Sequence, residues 1–261
     1  MTAANHWDLS AYLAAATPEG ATTHLKLTPA ALGAPRPYAV WQQEATAIAA
    51  DVARRGGGVL TANGPLALAT HVARNVTHRV PVQMLFGGKT YEFAERADTA
   101  APHVHTSEEL AVPEGDAGLK QAFFLFVTGN PAFSASAEQV DDAAAAMRAR
   151  GYKLVAAHRL VIGGTAMQPA DMPFVMQALW RLRDKLAGKG LALGMAGSQP
   201  LAYAVGIAFA TGGFPCFVGL DRPSTRYDDE AAVAADRYQL VVADFGVVPP
   251  KPAPECDEET V

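Results

Sequence analysis

Four short loops of this sequence carry small and polar residues of the kind that hold a ligand against the main chain. Each follows a predicted strand. Glycine lets a ligand approach the backbone, and the free amides at the start of the next helix attract negative charge. Turns of this kind also use glycine and serine for capping alone, so both interpretations stay open. The loops contain a Gly-Gly-Thr segment at 163–165 and the candidate ligand-binding residues Asn63, Gly64, Thr128, Gly129, Asn130, Gly197, Ser198 and Gln199.

Five larger side chains near other strand ends are candidates for contacting a nucleotide. Arg159, Arg222 and Arg226 carry guanidinium groups, each of which can hold a phosphate through two N–H donors. Tyr91 and Tyr227 are placed similarly after their strands and can stack on a base. Exposed arginines and tyrosines at the rim of a core have the same sequence pattern, and this alternative stays open.

No motif of a known catalytic or cofactor site accompanies these loops. The sequence has neither GxGxxG after a strand nor GxxxxGK[ST], so we infer neither NAD nor ATP and expect no cofactor. Ser198 is followed by Gln-Pro instead of completing a GxSxG motif, and no catalytic residue is predicted. His103 and His105 are two residues apart without a cysteine or carboxylate partner in sequence reach, and Cys216 and Cys256 have no metal-binding spacing. We therefore predict no metal site.

The last of the four loops interrupts a stretch, residues 191–220, that has no charged side chain. About 20 apolar residues can span a bilayer. Segments 197–200 and 212–215, which contain glycine and proline, break this stretch before it reaches that length. The pattern predicts a buried strand, a turn, a buried helix, a turn and a second buried strand instead of a membrane helix.

Residues 59–86 show the same order at an offset of 135 residues. Pro65-Leu66-Ala67 then aligns with Pro200-Leu201-Ala202. This agreement predicts an internal duplication. Strands that alternate with helices of 12–17 residues predict parallel sheets with right-handed crossovers. We therefore predict an α/β fold with mainly parallel sheets, built as a pseudo-dimer of two tandem Rossmann-like halves.

The remaining elements and boundaries follow from periodicity and from turn residues. The predicted boundaries are a first half at 1–100, a polar linker at 101–118, a second half at 119–246 and a disordered acidic tail at 247–261. We expect Ser134 or Ser136 to cap the helix at 135–150, and Asp171 to cap the helix at 172–187. The predicted strands outside the duplicated segments are 23–28, 89–93, 121–127, 152–162 and 237–244, and a further helix is predicted at 38–55.

Composition limits the classes of partner. The chain has 261 residues, half of them hydrophobic, and a formal net charge of −5. It has no run of Lys and Arg that would bind duplex nucleic acid, and its N-terminus lacks the pattern of a signal peptide. We therefore expect a cytoplasmic globular protein that binds neither duplex nucleic acid nor a membrane.

In its loops and its predicted duplication, the chain resembles the SAVED domain, a family of two fused CARF-like, Rossmann-type halves. Three segments of the second half carry the resemblance most: 126–134 (FVTGNPAFS), 193–221 and 237–242 (RYQLVV). In the first half, 23–29 and 59–73 are similar to the opening module of the family. The similarity extends over residues 20–245.

The resemblance implies a sensor of cyclic oligonucleotides in prokaryotic antiviral defence, of the CBASS or type III CRISPR kind. It implies that a cyclic tri- or tetra-adenylate binds between the halves and that binding leads to head-to-tail oligomers. The residues matching the ligand loops of the family are Thr128, Gly129, Asn130, Gly197, Ser198 and Gln199.

Family members are usually fused to an effector, whereas we expect none here, since only about twenty residues lie outside the similar region at either end. This suggests a stand-alone sensor that acts through a separate effector protein, or an isolated sensor domain. A ring nuclease that degrades the messenger, or another nucleotide-using enzyme on a Rossmann-like scaffold, are the alternatives.

Overall fold

The structure, a computed structural model, describes residues 6–8, 38–61, 66–76, 80–93, 105–115, 117–162, 167–210, 213–221 and 241–244. The predicted strand at 23–28 and the predicted tail at 247–261 lie outside the described residues. The candidate ligand-binding residues Asn63, Gly64, Arg222, Arg226 and Tyr227 also lie outside them.

The first half contains a four-stranded sheet with the strands in sequence order. Strand β2 pairs in parallel with β1 and β3, whereas β3 and β4 form an antiparallel hairpin. The hairpin turn is Gly87-Gly88, and both residues have positive φ, 57° and 73°, which glycine adopts without strain. The elements are β1 (His6–Asp8), α1 (Tyr38–Arg54), β2 (Gly58–Thr61), α2 (Leu66–Val76), β3 (Val82–Phe86) and β4 (Lys89–Glu92).

The second half contains a six-stranded sheet in the order β10-β9-β8-β6-β7-β5. Its four inner strands pair in parallel, and an antiparallel strand closes each edge. A short 3-10 helix, Pro169–Asp171, precedes α4. The elements are β5 (His105–Leu110), β6 (Lys120–Thr128), α3 (Ala137–Arg148), β7 (Tyr152–Ile162), α4 (Met172–Leu186), β8 (Gly190–Ala196), α5 (Gln199–Phe209), β9 (Phe217–Asp221) and β10 (Val241–Asp244).

The predicted mixed α/β architecture is confirmed, with helices packed on two sheets. The uncharged stretch forms β8, α5 and β9, as its pattern predicts, and β2, α2 and β3 follow the same order. In each unit the two strands are parallel neighbours. Among the helices that the structure describes, none is both long and apolar enough to cross a membrane.

Two predicted features are wrong. Residues 105–110 were assigned to the linker but form β5, which pairs antiparallel with β7 at the sheet edge. The exposed Ser107, Glu108 and Glu109 explain why the segment resembles a linker, since edge strands are often polar and charged. Asp171 makes no side-chain capping bond to α4, because its carboxylate accepts the backbone N–H of Gln168 at 2.7 Å.

The second sheet is covered on both faces, which its apolar strands require. Successive side chains of β6 point to opposite faces: Phe124 and Phe126 pack with α3, while Leu125 and Val127 join the larger core. That larger core also contains buried residues of α1, α2, β3 and β4 from the first half. The two halves therefore share one continuous apolar core.

Helices α2 and α5 form the closest contact between the halves. Gly206 of α5 faces Thr70 and Ala73 of α2, and a Cβ at Gly206 would lie 2.6 Å from the Ala73 Cβ and closer still to the Thr70 carbonyl oxygen. The Thr70 hydroxyl donates to the carbonyl oxygen of Ala202 at 3.0 Å. Glycine at 206 is therefore what permits this approach.

Polar side chains are buried beside this contact. His71 is 5 % exposed, and its Nε2 lies 3.1 Å from the Thr46 hydroxyl of α1. Burial, together with the nearby Arg74, lowers the pKa of His71 to about 4. The Arg74 guanidinium lies 4.6 Å above the ring centroid of Phe217. Histidine in this place is therefore a neutral part of the core at pH 7.

Candidate ligand-binding site

A cavity of about 550 Å³ lies where the first sheet meets the strand ends of the second. Ligand pockets typically have volumes of roughly 300–1,000 Å³. One wall comes from the β3–β4 hairpin, and the others come from the loops after β6 and β8 and from the segment before α4. The lining residues are Phe86, Gly87, Lys89, Tyr91, Gly129, Asn130, Phe133, Met167, Gln168, Ala196, Gly197, Ser198 and Leu201.

The loop after β6 is held in shape by its own side chains. The Thr128 hydroxyl accepts the backbone N–H of Asn130 at 3.0 Å and lies 3.1 Å from the Asn130 carbonyl oxygen. The Asn130 side-chain oxygen in turn accepts the N–H of Ala132 at 2.9 Å. Downstream, Phe133 is 54 % exposed at the cavity. The loop thus presents Gly129, Asn130 and an aromatic ring in a fixed arrangement.

The loop after β8 lies directly beside it. Thr128 and Ala196 are partners in the β6–β8 register, so the two chains leave the sheet side by side. A Cβ at Gly197 would lie 3.5 Å from the backbone nitrogen of Gly129. Ser198 occupies the N-cap position of α5, and its side chain makes no capping hydrogen bond. Ser198 therefore lines the cavity at the start of α5, where the helix dipole favours an anion.

The hairpin wall is joined to the opposite wall by two hydrogen bonds. The Tyr91 hydroxyl donates to the carbonyl oxygen of Met167 at 3.1 Å, and Lys89 Nζ donates to Gln168 Oε1 at 2.6 Å. Burial, with a contribution from Asp171, raises the pKa of Tyr91, so its hydroxyl remains a donor at pH 7. These two bonds place residues of the first sheet against the segment before α4.

Arg159 supports the site from behind. Its guanidinium forms an ion pair with Glu108 of β5, with Nη1 and Oε2 2.7 Å apart, and it also donates to the carbonyl oxygen of Pro131. Pro131 lies between Asn130 and Phe133 in the loop after β6. Arg159 is not among the residues lining the cavity, so its position favours holding this loop over contacting a phosphate.

The structure brings together five residues predicted for the site: Tyr91, Gly129, Asn130, Gly197 and Ser198. Thr128 and Gln199 are neighbours of the cavity but are buried, at 0 % and 6 % exposure, and do not line it.

Sequence reasoning missed Phe86, Lys89, Phe133 and Gln168. The hairpin pattern around Gly87-Gly88 could have drawn attention to Phe86 and Lys89, whereas nothing in the sequence distinguishes Phe133 or Gln168.

Among known proteins, solved structures share this architecture, whereas sequence comparisons find no match. No family model matches the sequence, and no curated protein matches it. A solved structure of Acinetobacter baumannii Cap4, a SAVED/CARF-domain containing receptor with the cyclic trinucleotide 2′3′3′-cAAA, aligns with a TM-score of 0.54 at 13 % identity. The alignment covers 86 % of this chain and 50 % of that chain. This chain has the SAVED/CARF fold.

Two further solved structures align less closely. The Acinetobacter baumannii receptor with 3′3′3′-cAAA has a TM-score of 0.48 at 12 % identity, over 81 % of this chain and 49 % of that chain. The Moraxella osloensis Cap4 receptor has a TM-score of 0.46 at 10 % identity, over 83 % and 46 %. This chain therefore spans about half the length of the solved SAVED/CARF receptors that it matches.

Proposed function

We propose that this chain binds a cyclic oligonucleotide second messenger, of the cyclic tri- or tetra-adenylate kind, in the cavity between its two sheets. The observation that carries the proposal is the cavity itself, which lies at the strand ends and is lined from both halves. Open α/β sheets bind ligands at the carboxyl ends of their strands. A receptor with the same fold was solved with a cyclic trinucleotide, which supports this class of ligand.

The chemistry of the lining suits a nucleotide. Phe86 and Phe133 offer aromatic surface on which bases stack, typically with about 1–3 kcal/mol per base, whereas Tyr91 is buried and holds the wall through its hydroxyl. Gly129 and Gly197 allow sugar and phosphate groups to approach the main chain. No carboxylate lies among the lining residues that the structure describes, and the start of α5 favours negative charge. An anionic ligand with several bases uses all of these features.

The proposal includes a pseudo-dimeric organisation, with CARF-like halves at 1–100 and 119–246. A ring of repeated nucleotides is a suitable ligand for a site between two related halves, because each half can contact different nucleotides of the same ring. We place the signalling step in prokaryotic antiviral defence, through a separate effector protein or through head-to-tail oligomers that form on binding. Light scattering of the chain with and without ligand tests the oligomer.

The first test is calorimetry with a panel of cyclic di-, tri- and tetranucleotides that includes 2′3′3′-cAAA and 3′3′3′-cAAA. We expect one cyclic oligonucleotide to bind tightly. Ser198→Ala should weaken that binding without lowering the melting temperature, because the hydroxyl caps nothing in α5. Ser134→Ala, in the neighbouring loop after β6 but outside the cavity lining, is the matched control. Absence of binding across the whole panel would overturn the proposal.

The ring nuclease alternative is separated by chromatography of the nucleotide after incubation with the protein. A sensor leaves the ring intact, whereas a ring nuclease converts it to a linear product. CARF-type sites can cleave by positioning the 2′-hydroxyl without a metal ion, so the lack of a catalytic motif does not decide between the two. Recovery of intact ligand after many hours favours the sensor.

A further inference from the structure

Lys89 is the one charged residue among those that line the cavity in the described part of the chain. It begins β4, directly after the hairpin turn, and its exposed side chain extends to Gln168 on the opposite wall. Lys89 Nζ and Gln168 Oε1 are 2.6 Å apart. The partner of this ammonium group is therefore a neutral amide, and no carboxylate of the described lining compensates its positive charge.

The position of this charge matters for an anionic ligand. The ammonium group and the start of α5 lie on different walls of one cavity, and both favour negative charge there. A phosphate oxygen carries negative charge whereas the Gln168 amide is neutral, so the ammonium group forms the stronger hydrogen bond with the phosphate. A phosphate that enters the cavity can therefore displace the Gln168 amide from Lys89.

We propose that Lys89 binds a phosphate of the ligand, and that Gln168 holds the lysine side chain across the cavity until the phosphate replaces it. This inference rests on the proposed function. It gives the first half a direct part in affinity, through a residue in a hairpin that the sequence does not mark as a ligand loop. It also explains why an exposed lysine is held by a hydrogen bond to the opposite wall, at the cost of side-chain freedom.

The test compares Lys89→Gln with Lys89→Arg and with Lys185→Gln, an exposed lysine of α4 outside the cavity. The probe is the cyclic trinucleotide or tetranucleotide that binds the wild-type chain, and its Kd is measured at low and moderate salt. We expect Lys89→Gln to weaken binding roughly 10- to 100-fold and to reduce the slope of log Kd against log salt by about 0.7, the value for one phosphate contact on a single strand. Lys89→Arg should keep most of the affinity, and Lys185→Gln should match the wild type.

The role of Gln168 is tested by Gln168→Ala. Because the amide competes with phosphate for Lys89, its removal should leave the affinity unchanged or raise it a few-fold. A ten-fold loss of affinity in this variant would show that Gln168 contacts the ligand itself. It would overturn the proposal that a phosphate replaces Gln168 at Lys89.

Melting temperatures confirm that each variant is folded. If the wild type binds a nucleotide but Lys89→Gln has the same Kd and salt slope, the Lys89 inference fails while the proposed function stands. If the wild type binds none of the panel, the proposed function fails, and the Lys89 inference fails with it.

Discussion

Burial determines the chemistry of His71, which the sequence presents as one of several scattered histidines. The side chain belongs to α2 and is buried, and its Nε2 lies beside the Thr46 hydroxyl of α1. Desolvation disfavours the charged imidazolium, and the positive charge of Arg74 adds to this effect. The folded chain therefore holds His71 neutral over a pH range in which the unfolded chain protonates it.

This difference predicts an acid-sensitive stability. The pKa of His71 is about 4 in the folded chain against 6.5 for an ordinary histidine. Above pH 6.5 His71 is therefore neutral in both the folded and the unfolded chain, and it causes no loss of stability. As the pH falls below 6.5 the unfolded state binds the proton first, which costs about 2 kcal/mol of stability by pH 5. Urea unfolding between about pH 7.5 and pH 5 measures this loss. His71→Gln should remove most of the slope, and an unchanged slope in that variant would contradict the assignment.

At the scale of the elements, the contact between α2 and α5 depends on Gly206. An alanine in the middle of a helix normally gains about 1 kcal/mol over glycine. Here the added methyl group would meet the backbone of Thr70 and the Cβ of Ala73, neither of which can rotate away. Overpacking of this kind typically costs 1–3 kcal/mol and requires the helices to move apart.

We therefore expect Gly206→Ala to lower the free energy of unfolding by about 1–2 kcal/mol despite the better helix propensity. Denaturant unfolding measures the loss. Gly118→Ala is the matched control, because a Cβ there meets no atom within 4 Å and the residue has no positive φ. Equal free energies of unfolding for the two variants would mean that α2 and α5 can move apart at this contact with little loss of stability.

Local sequence signals were sufficient for many elements. The strand at 152–162 has the predicted bounds, and Ser136 caps α3 through a capping box with Gln139, a bond that depends on residues three apart. The edge strand β5 was missed because its pairing depends on β7, which is far away in sequence. Local chemistry therefore predicted the elements whose stabilising contacts are local.

The site could be predicted in part for the same reason. Gly129, Asn130, Gly197 and Ser198 follow strands that end at one edge of a parallel sheet, so their proximity follows from the fold class. Lys89 and Gln168 meet only because the first half packs against the second, and neither residue type at its position indicates that contact. The wall provided by the hairpin therefore required the structure.

At the scale of the whole molecule, the two halves are joined by apolar surface as well as by the chain. The rings of Phe93 from the first half and Tyr203 from α5 have centroids 4.7 Å apart, and both side chains are buried in the shared core. Burial raises the pKa of Tyr203 well above that of an ordinary tyrosine. Separating the halves would expose this core to water, at a cost of about 25 cal/mol for each Å² of apolar surface.

We expect a chain cut at the predicted boundary between residues 100 and 101 to remain assembled. Fragments 1–100 and 101–261, co-expressed with an affinity tag on the first, should co-purify and elute together from a sizing column. Gly206→Ala in the second fragment should weaken the pairing, because it forces α2 and α5 apart. Recovery of the tagged fragment alone would show that the covalent connection, and not the shared core, holds the halves together.

The contact at Gly206 also makes the two halves non-interchangeable. In the predicted alignment, with its offset of 135 residues, Gly206 corresponds to His71, whose imidazole is accommodated against Thr46 of α1. A histidine at 206 has no such room, since even a methyl group meets the backbone of α2. Two first halves could therefore not associate through these helices as the present halves do. A residue that suits this position in one half would therefore disrupt the contact between the helices in the other half.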